Sequence, residues 1–127
     1  MERTLSEFLR NGRLGGLQFG ASKADVRRVL GTDAAGGALR LSFDRGRLAA
    51  IALVFREPLP RELRLAGWWP TRATTFRELR DYLDRETIPY CMAIPTDAQI
   101  LVRAGAAGVR FSLEGTRTSL ESIQAQS

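Results

Sequence analysis

Apolar and polar positions alternate most clearly over residues 39–55, LRLSFDRGRLAAIALVF. Leu39, Leu41 and Phe43 fall on one side of an extended chain and Arg40, Ser42 and Asp44 on the other. That pattern predicts a strand with one buried face. Asp44-Arg45-Gly46 marks a tight turn, and residues 48–55 read as a second strand, apolar on both faces. Such a strand is central and covered on both sides, or has one face that a partner covers. A second copy of the chain would cover it equally well. Residues 109–123, VRFSLEGTRTSLESI, repeat this hairpin more weakly. Val109, Phe111 and Leu113 stand for Leu39, Leu41 and Phe43, Glu114-Gly115-Thr116 for the turn, and Leu120 and Ile123 for Leu48 and Ile51.

Helical spacing precedes each hairpin. Ser22 caps a helix in which Asp25 complements the exposed amides, Val26, Val29 and Leu30 form an apolar stripe, and Gly31 ends the helix. Lys23, Arg27 and Arg28 occupy its wet side. Thr75 and Glu78 form a full capping box, and Leu79, Tyr82 and Leu83 take the places of Val26, Val29 and Leu30. Agreement at five positions favours an internal duplication. The expected fold is a single α+β domain over residues 1–127, with short helices on one face of a mainly antiparallel sheet. Its two helix-plus-hairpin halves are residues 1–57 and 72–127, joined by 58–71.

The remaining segments are simpler. Leu5, Phe8 and Leu9 predict a short N-terminal helix over residues 3–11, stopped by Gly12. Residues 15–20 read as a loop or brief extended segment and residues 33–37 as a loop. Pro58 and Pro60 end the second strand. Residues 63–69, LRLAGWW, read as a further strand with Leu63, Leu65, Gly67 and Trp69 on one face and Trp68 on the other. Residues 89–94 and 99–103 are strands around Pro95-Thr96-Asp97, residues 105–108 a turn, and residues 124–127 a fraying tail.

Composition narrows the chemistry. The chain has no His and one cysteine, Cys91. It therefore has no imidazole for a Ser-His or Cys-His pair, no Cys/His set for structural zinc and no intrachain disulfide. No metal or cofactor is expected, and Cys91, between Tyr90 and Met92, reads as an inert buried thiol. The hydrophobic share is 44%, as in a soluble globular protein. The stretch MERTLSEFLRNGR scatters charges among its apolar residues, unlike a signal peptide. The longest apolar run, residues 48–55, is too short to span a bilayer. These features predict a soluble cytoplasmic protein with no membrane partner.

The net charge is +5, carried by 18 Arg and a single Lys, Lys23. The arginines are scattered and interleaved with acids, a pattern that a G+C-rich coding genome also produces. The charge permits an acidic partner without marking nucleic-acid binding. Arg77 and Arg80, with Arg27 and Arg28, would make a basic patch if both helices shared a face.

The segment Gly20-Ala21-Ser22, Asp25-Val26, Val29-Leu30-Gly31 resembles the G-x-[ST]-x-x-[DE]-V-x-x-x-L-G pattern of helix-then-hairpin modules. Such modules occur in β-lactamase-inhibitor proteins and outer-membrane lipoprotein assembly subunits. With its strand Phe43, Asp44, Gly46, Arg47, Leu48, Ile51, the first half also resembles small actinobacterial immunity-like proteins. The resemblance to the inhibitor proteins implies two modules forming a concave sheet that grips a protein. Those proteins are disulfide-bonded, and the lipoprotein subunits carry a lipid-anchored cysteine near the start. A chain whose one cysteine is Cys91 matches neither, so protein binding is the theme implied and no specific activity.

The candidate contact residues are Trp68, Trp69 and Tyr90 with Arg64 and Arg72, the aromatic-plus-Arg composition of interface hot spots. Core packing is the competing role for each tryptophan. Asp81, Asp84 and Glu86 sit among Arg77, Arg80 and Arg85 as a solvated ion-pair face. The expected function is non-catalytic: an immunity-like or inhibitor-like, bacterial, toxin-antitoxin-like protein that occludes a partner such as a toxin domain. A basic nucleic-acid-associated protein is the first alternative, and a small enzyme or enzyme subunit the second.

Overall fold

The structure, a computed structural model of the chain, describes residues 4–30, 38–55, 59, 65–96, 98–114 and 117–126. Among the described residues three helices, α1 (Leu5–Asn11), α2 (Lys23–Leu30) and α3 (Phe76–Arg85), accompany six strands. The strands are β1 (Leu39–Asp44), β2 (Arg47–Val54), β3 (Tyr90–Thr96), β4 (Gln99–Ala104), β5 (Ala107–Glu114) and β6 (Arg117–Gln126). They form one sheet in the order β1-β2-β6-β5-β4-β3, antiparallel at every step. The fold is α+β, and β2 is an interior strand, but cover on both of its faces is not seen among the described residues, since Ala52 and Val54 face away from the helices.

Each helix starts where its sequence provides a cap. Thr4 Oγ1 accepts from the Glu7 amide, Ser22 Oγ from the Asp25 amide, and Thr75 Oγ1 from the Glu78 amide. The Glu78 carboxylate in turn accepts from the Thr75 amide, completing the capping box. At the other end of α1, Gly12 adopts φ 69° and its amide reaches back to the Phe8 carbonyl. The β1–β2 turn has Arg45 at φ 53° and Gly46 at φ 76°, the two left-handed positions of a tight hairpin.

Two rows of paired side chains cross the sheet on its helix-bearing face. One runs Tyr90, Ala104, Ala107, Ala125, Ile51, Leu41; the other runs Met92, Val102, Val109, Ile123, Leu53, Leu39. Together with Leu5, Phe8 and Leu9 of α1, Val26 of α2, and Leu79, Tyr82 and Leu83 of α3, most of these residues make one core. Phe76 meets Phe111 edge-on at 6.2 Å. Helical cover thins out at β3, where Met92 is 50% exposed.

The β1–β2 and β5–β6 hairpins share a detail of register. Ser42 pairs with Ala50 but Phe43 with Leu48, which leaves Ala49 as a bulge. Arg110 pairs with Ser122 but Phe111 with Leu120, which leaves Glu121 as a bulge. The Leu48 amide donates to the Ala21 carbonyl, and the Leu120 amide donates to the Arg72 carbonyl. In both places the chain leading into a capped helix is thus fastened to a leucine beside a bulge.

Several expectations are corrected. Residues 66–71 form no strand: Gly67 turns the backbone at φ 73°, and the Trp69 indole N–H bonds back to the Ala66 carbonyl at 3.0 Å. The turn after β4 is confined to Gly105 and Ala106, so Gly108 lies within β5. Gln124 to Gln126 do not fray but pair with Ala50 to Ala52. Val29 is not in the apolar stripe; it is 37% exposed and lies against Gly16. Pro95 and Thr96, expected to separate two strands, belong to β3. Residues 1–3, 31–37, 56–58, 60–64, 97, 115–116 and 127 lie outside the described residues, as do the side chains of Leu30, Ile94, Pro95, Thr96, Glu114 and Arg117. With them go the Gly31 stop, the 33–37 loop, Pro58, Pro60, Arg64 and the centre of the second hairpin turn.

Candidate partner-binding surface

Among the described residues nothing covers the face of the sheet opposite the helices, and its side chains come from the polar phase of each strand's alternation. One paired row runs Cys91, Arg103, Gly108, Gln124, Ala52, Arg40 across all six strands. The next runs Ala93, Leu101, Arg110, Ser122, Val54. Arg40, Arg103, Arg110, Gln124 and Gln126 are exposed. Neither row contains a carboxylate, and no ion pair among the described residues engages Arg103 or Arg110. Small side chains between the arginines leave a shallow concavity of about 390 Å³, whose rim includes Arg103, Arg110, Ser122 and Gln124. The two rows present guanidinium and amide donors with no acid among them, Asp44 lying beyond them at the end of β1. They can accept carboxylates from a partner.

The aromatic candidates lie on the other side of the molecule. Trp68 is 36% exposed and stacks on Tyr82 of α3 at 4.9 Å between ring centroids. The Arg85 guanidinium lies 5.7 Å from the same Tyr82 ring. Trp69 is half-buried against the core. Arg72 is exposed, and its main chain serves β6 through the bond from Leu120. Tyr90 is half-buried at the start of β3, beside Leu83, Asp84 and Thr87 at the end of α3. The structure therefore brings Trp68 onto α3 but leaves Tyr90 at the sheet edge, and places no aromatic in the two open-face rows.

The acidic candidates behave as surface charge. Arg80 and Asp81 approach at 3.7 Å with both side chains well exposed, and the Glu86 carbonyl accepts from the Arg10 guanidinium. Among the described residues no three His, Cys, Asp or Glu side chains converge as a metal site requires. Cys91 is exposed, which corrects its reading as a buried thiol: at an edge strand it lies on the open face. No helix among the described residues is long and apolar enough to cross a membrane.

Sequence reasoning missed Arg40, Arg103, Arg110, Gly108 and Gln124 as a group. The signal was present, since Gly108, Arg110 and Ser112 alternate with Ala107, Val109 and Phe111. It becomes informative only once strand order brings the polar phases of several strands together.

Comparison of the chain with known protein families, with curated proteins and with solved structures finds no match.

Proposed function

We propose that the chain is a non-catalytic protein-binding module, immunity-like or inhibitor-like, that occludes an acidic partner with the open face of its sheet. The observation carrying this reading is the acid-free row Arg103, Gly108, Gln124, Ala52, Arg40, on a face of the six-stranded sheet that no described residue covers. Opposed charge speeds encounter and fixes orientation, while the flat, small-residue ground between the arginines excludes water on contact. A reducing compartment such as the cytoplasm suits the single exposed thiol, Cys91.

We also propose that the chain is one helix-plus-hairpin unit used twice. The matching bulges at Ala49 and Glu121, the matching leucine anchors and the Ser22 and Thr75 caps support it. On this alignment Leu48 matches Leu120 and Ile51 matches Ile123. Val109 then matches Leu41 and Phe111 matches Phe43, two residues further along than the alternation alone implies.

The test compares partners captured from the source cell by three folded proteins: wild type, an Arg40→Glu/Arg103→Glu/Arg110→Glu variant and a Trp68→Ala/Trp69→Ala variant. Each captured partner is then purified and titrated against all three. The charge-reversed protein is expected to lose binding by about a hundredfold or more while the tryptophan variant keeps it. Retention by the charge-reversed protein, with loss in the tryptophan variant, would move the contact to the Trp68–Tyr82–Arg85 side. A nucleic-acid role is the second reading, favoured by the same arginines, but the open-face rows lack the aromatic platforms on which unpaired bases stack.

A further inference from the structure

We propose that the hollow over Gly108 is an anchor site for one carboxylate of the partner protein, gripped by the guanidinium groups of Arg103 and Arg110. The inference rests on the open-face reading and assigns its centre. Gly108 lies inside a strand, where glycine weakens pairing and offers nothing to pack. Its backbone is not among the positive-φ positions, and a Cβ built there would meet nothing within 4 Å. Neither conformation nor crowding requires a glycine at this position. What its missing side chain does produce is the hollow itself.

The polar side chains around the hollow, Arg103, Arg110, Ser122, Gln124 and Gln126, can all donate. Arg103 is the direct cross-strand neighbour of Gly108 on one side and Gln124 on the other. Arg110 follows two residues along the same strand, with Ser122 across from it. Adjacent strands lie roughly 4.8 Å apart and alternate residues about 6.7 Å apart. Both arginines therefore stand beside the hollow on different sides, each long enough to reach over it. A carboxylate entering there meets two planar guanidinium forks, which match its two oxygens better than ammonium groups would. The Gln124 amide supplies a further donor. Both guanidinium groups lack an ion-pair partner among the described residues, so no carboxylate among those residues has to be displaced.

The test uses the full isotope-labelled chain and a hexaglutamate peptide as probe, followed through the Gly108 amide and the arginine Nε–H resonances. The expected result is saturable shifts at Gly108, Arg103 and Arg110, with affinity falling about tenfold or more in Gly108→Val, which fills the hollow without changing charge. Arg103→Lys keeps charge, removes the fork and is expected to weaken binding severalfold. It provides the same test if the valine variant folds poorly. Unchanged affinity in folded Gly108→Val and in Arg103→Lys overturns the anchor site. If Arg103→Glu/Arg110→Glu still abolishes binding in that case, the open-face reading stands without its anchor. If that variant also binds normally, both fall. Shifts confined to Arg27, Arg28 and Arg77, or saturation by an oligothymidylate in place of hexaglutamate, overturn the carboxylate assignment as well.

Discussion

Phe111 is fully buried in β5 and meets the Phe76 ring edge-on, so its removal leaves a void that neighbouring strands cannot close. Phe111→Ala is expected to cost about 3–5 kcal/mol in chemical denaturation. Trp68 is larger but rests on Tyr82 with one face in solvent, and Trp68→Ala should cost only about 1 kcal/mol in the same assay. Size alone does not rank these two residues; cover does. Cys91 makes the same point with a chemical readout. It is exposed beside Arg103, so Ellman's reagent should titrate one thiol in the native protein without denaturant. Bound partner should slow that reaction, whereas a thiol that reacts only after unfolding would contradict its position. At this scale the sequence was legible where a residue acts on the backbone within a few positions of itself, as Ser22, Thr75 and Gly46 do. It was not legible for Cys91, because apolar flanks mark a strand without saying whether the strand is interior or at an edge.

Among the elements, α1 depends on a contact far along the chain. The Ala106 amide donates to the Leu9 carbonyl at 2.6 Å, and Gly105 turns beside it at φ 59°. A Cβ at Gly105 would stand 2.4 Å from that carbonyl oxygen. Gly105→Ala should therefore lower stability by about 2 kcal/mol or more, the left-handed cost plus the displacement of α1, measurable by urea denaturation. Hairpins and capped helices were readable because their signals are local. The strand expected over 63–69 is absent from residues 66–69: Leu65, Gly67 and Trp69 alternate correctly, yet Gly67 is free to leave extended geometry and Trp69 bonds back to Ala66. Gly108 was read as turn for the converse reason: a glycine next to a real turn is indistinguishable from part of it until the pairing with Arg103 and Gln124 is known. The bulges at Ala49 and Glu121 each move a strand by one residue, and alternation cannot register that step.

For the whole molecule, one layer of helices on one face of the sheet divides the surface in two. The aromatic candidates are on the covered side and the unpaired arginines on the bare side, so a recognition surface read from composition alone mixes two surfaces that face apart. If the open face meets an acidic protein, association should be salt-dependent. The on-rate with purified partner is expected to fall about tenfold or more from low to high ionic strength, with a smaller change in off-rate. An on-rate indifferent to salt would argue for an apolar contact instead.

The pairing of β2 with β6 has a temporal side. The hairpin of β1 and β2 is made early in synthesis, yet its inner edge stays unsatisfied until residues 117–126 arrive. In between, β3, β4 and β5 can zip together through short turns, but they cannot reach the first hairpin without β6 as the bridge. Loop closure over that separation makes the last seam the slow one. During biogenesis the chain passes through a stage with an apolar strand edge on show, when a chaperone or a second nascent chain competes with β6 for the same hydrogen bonds.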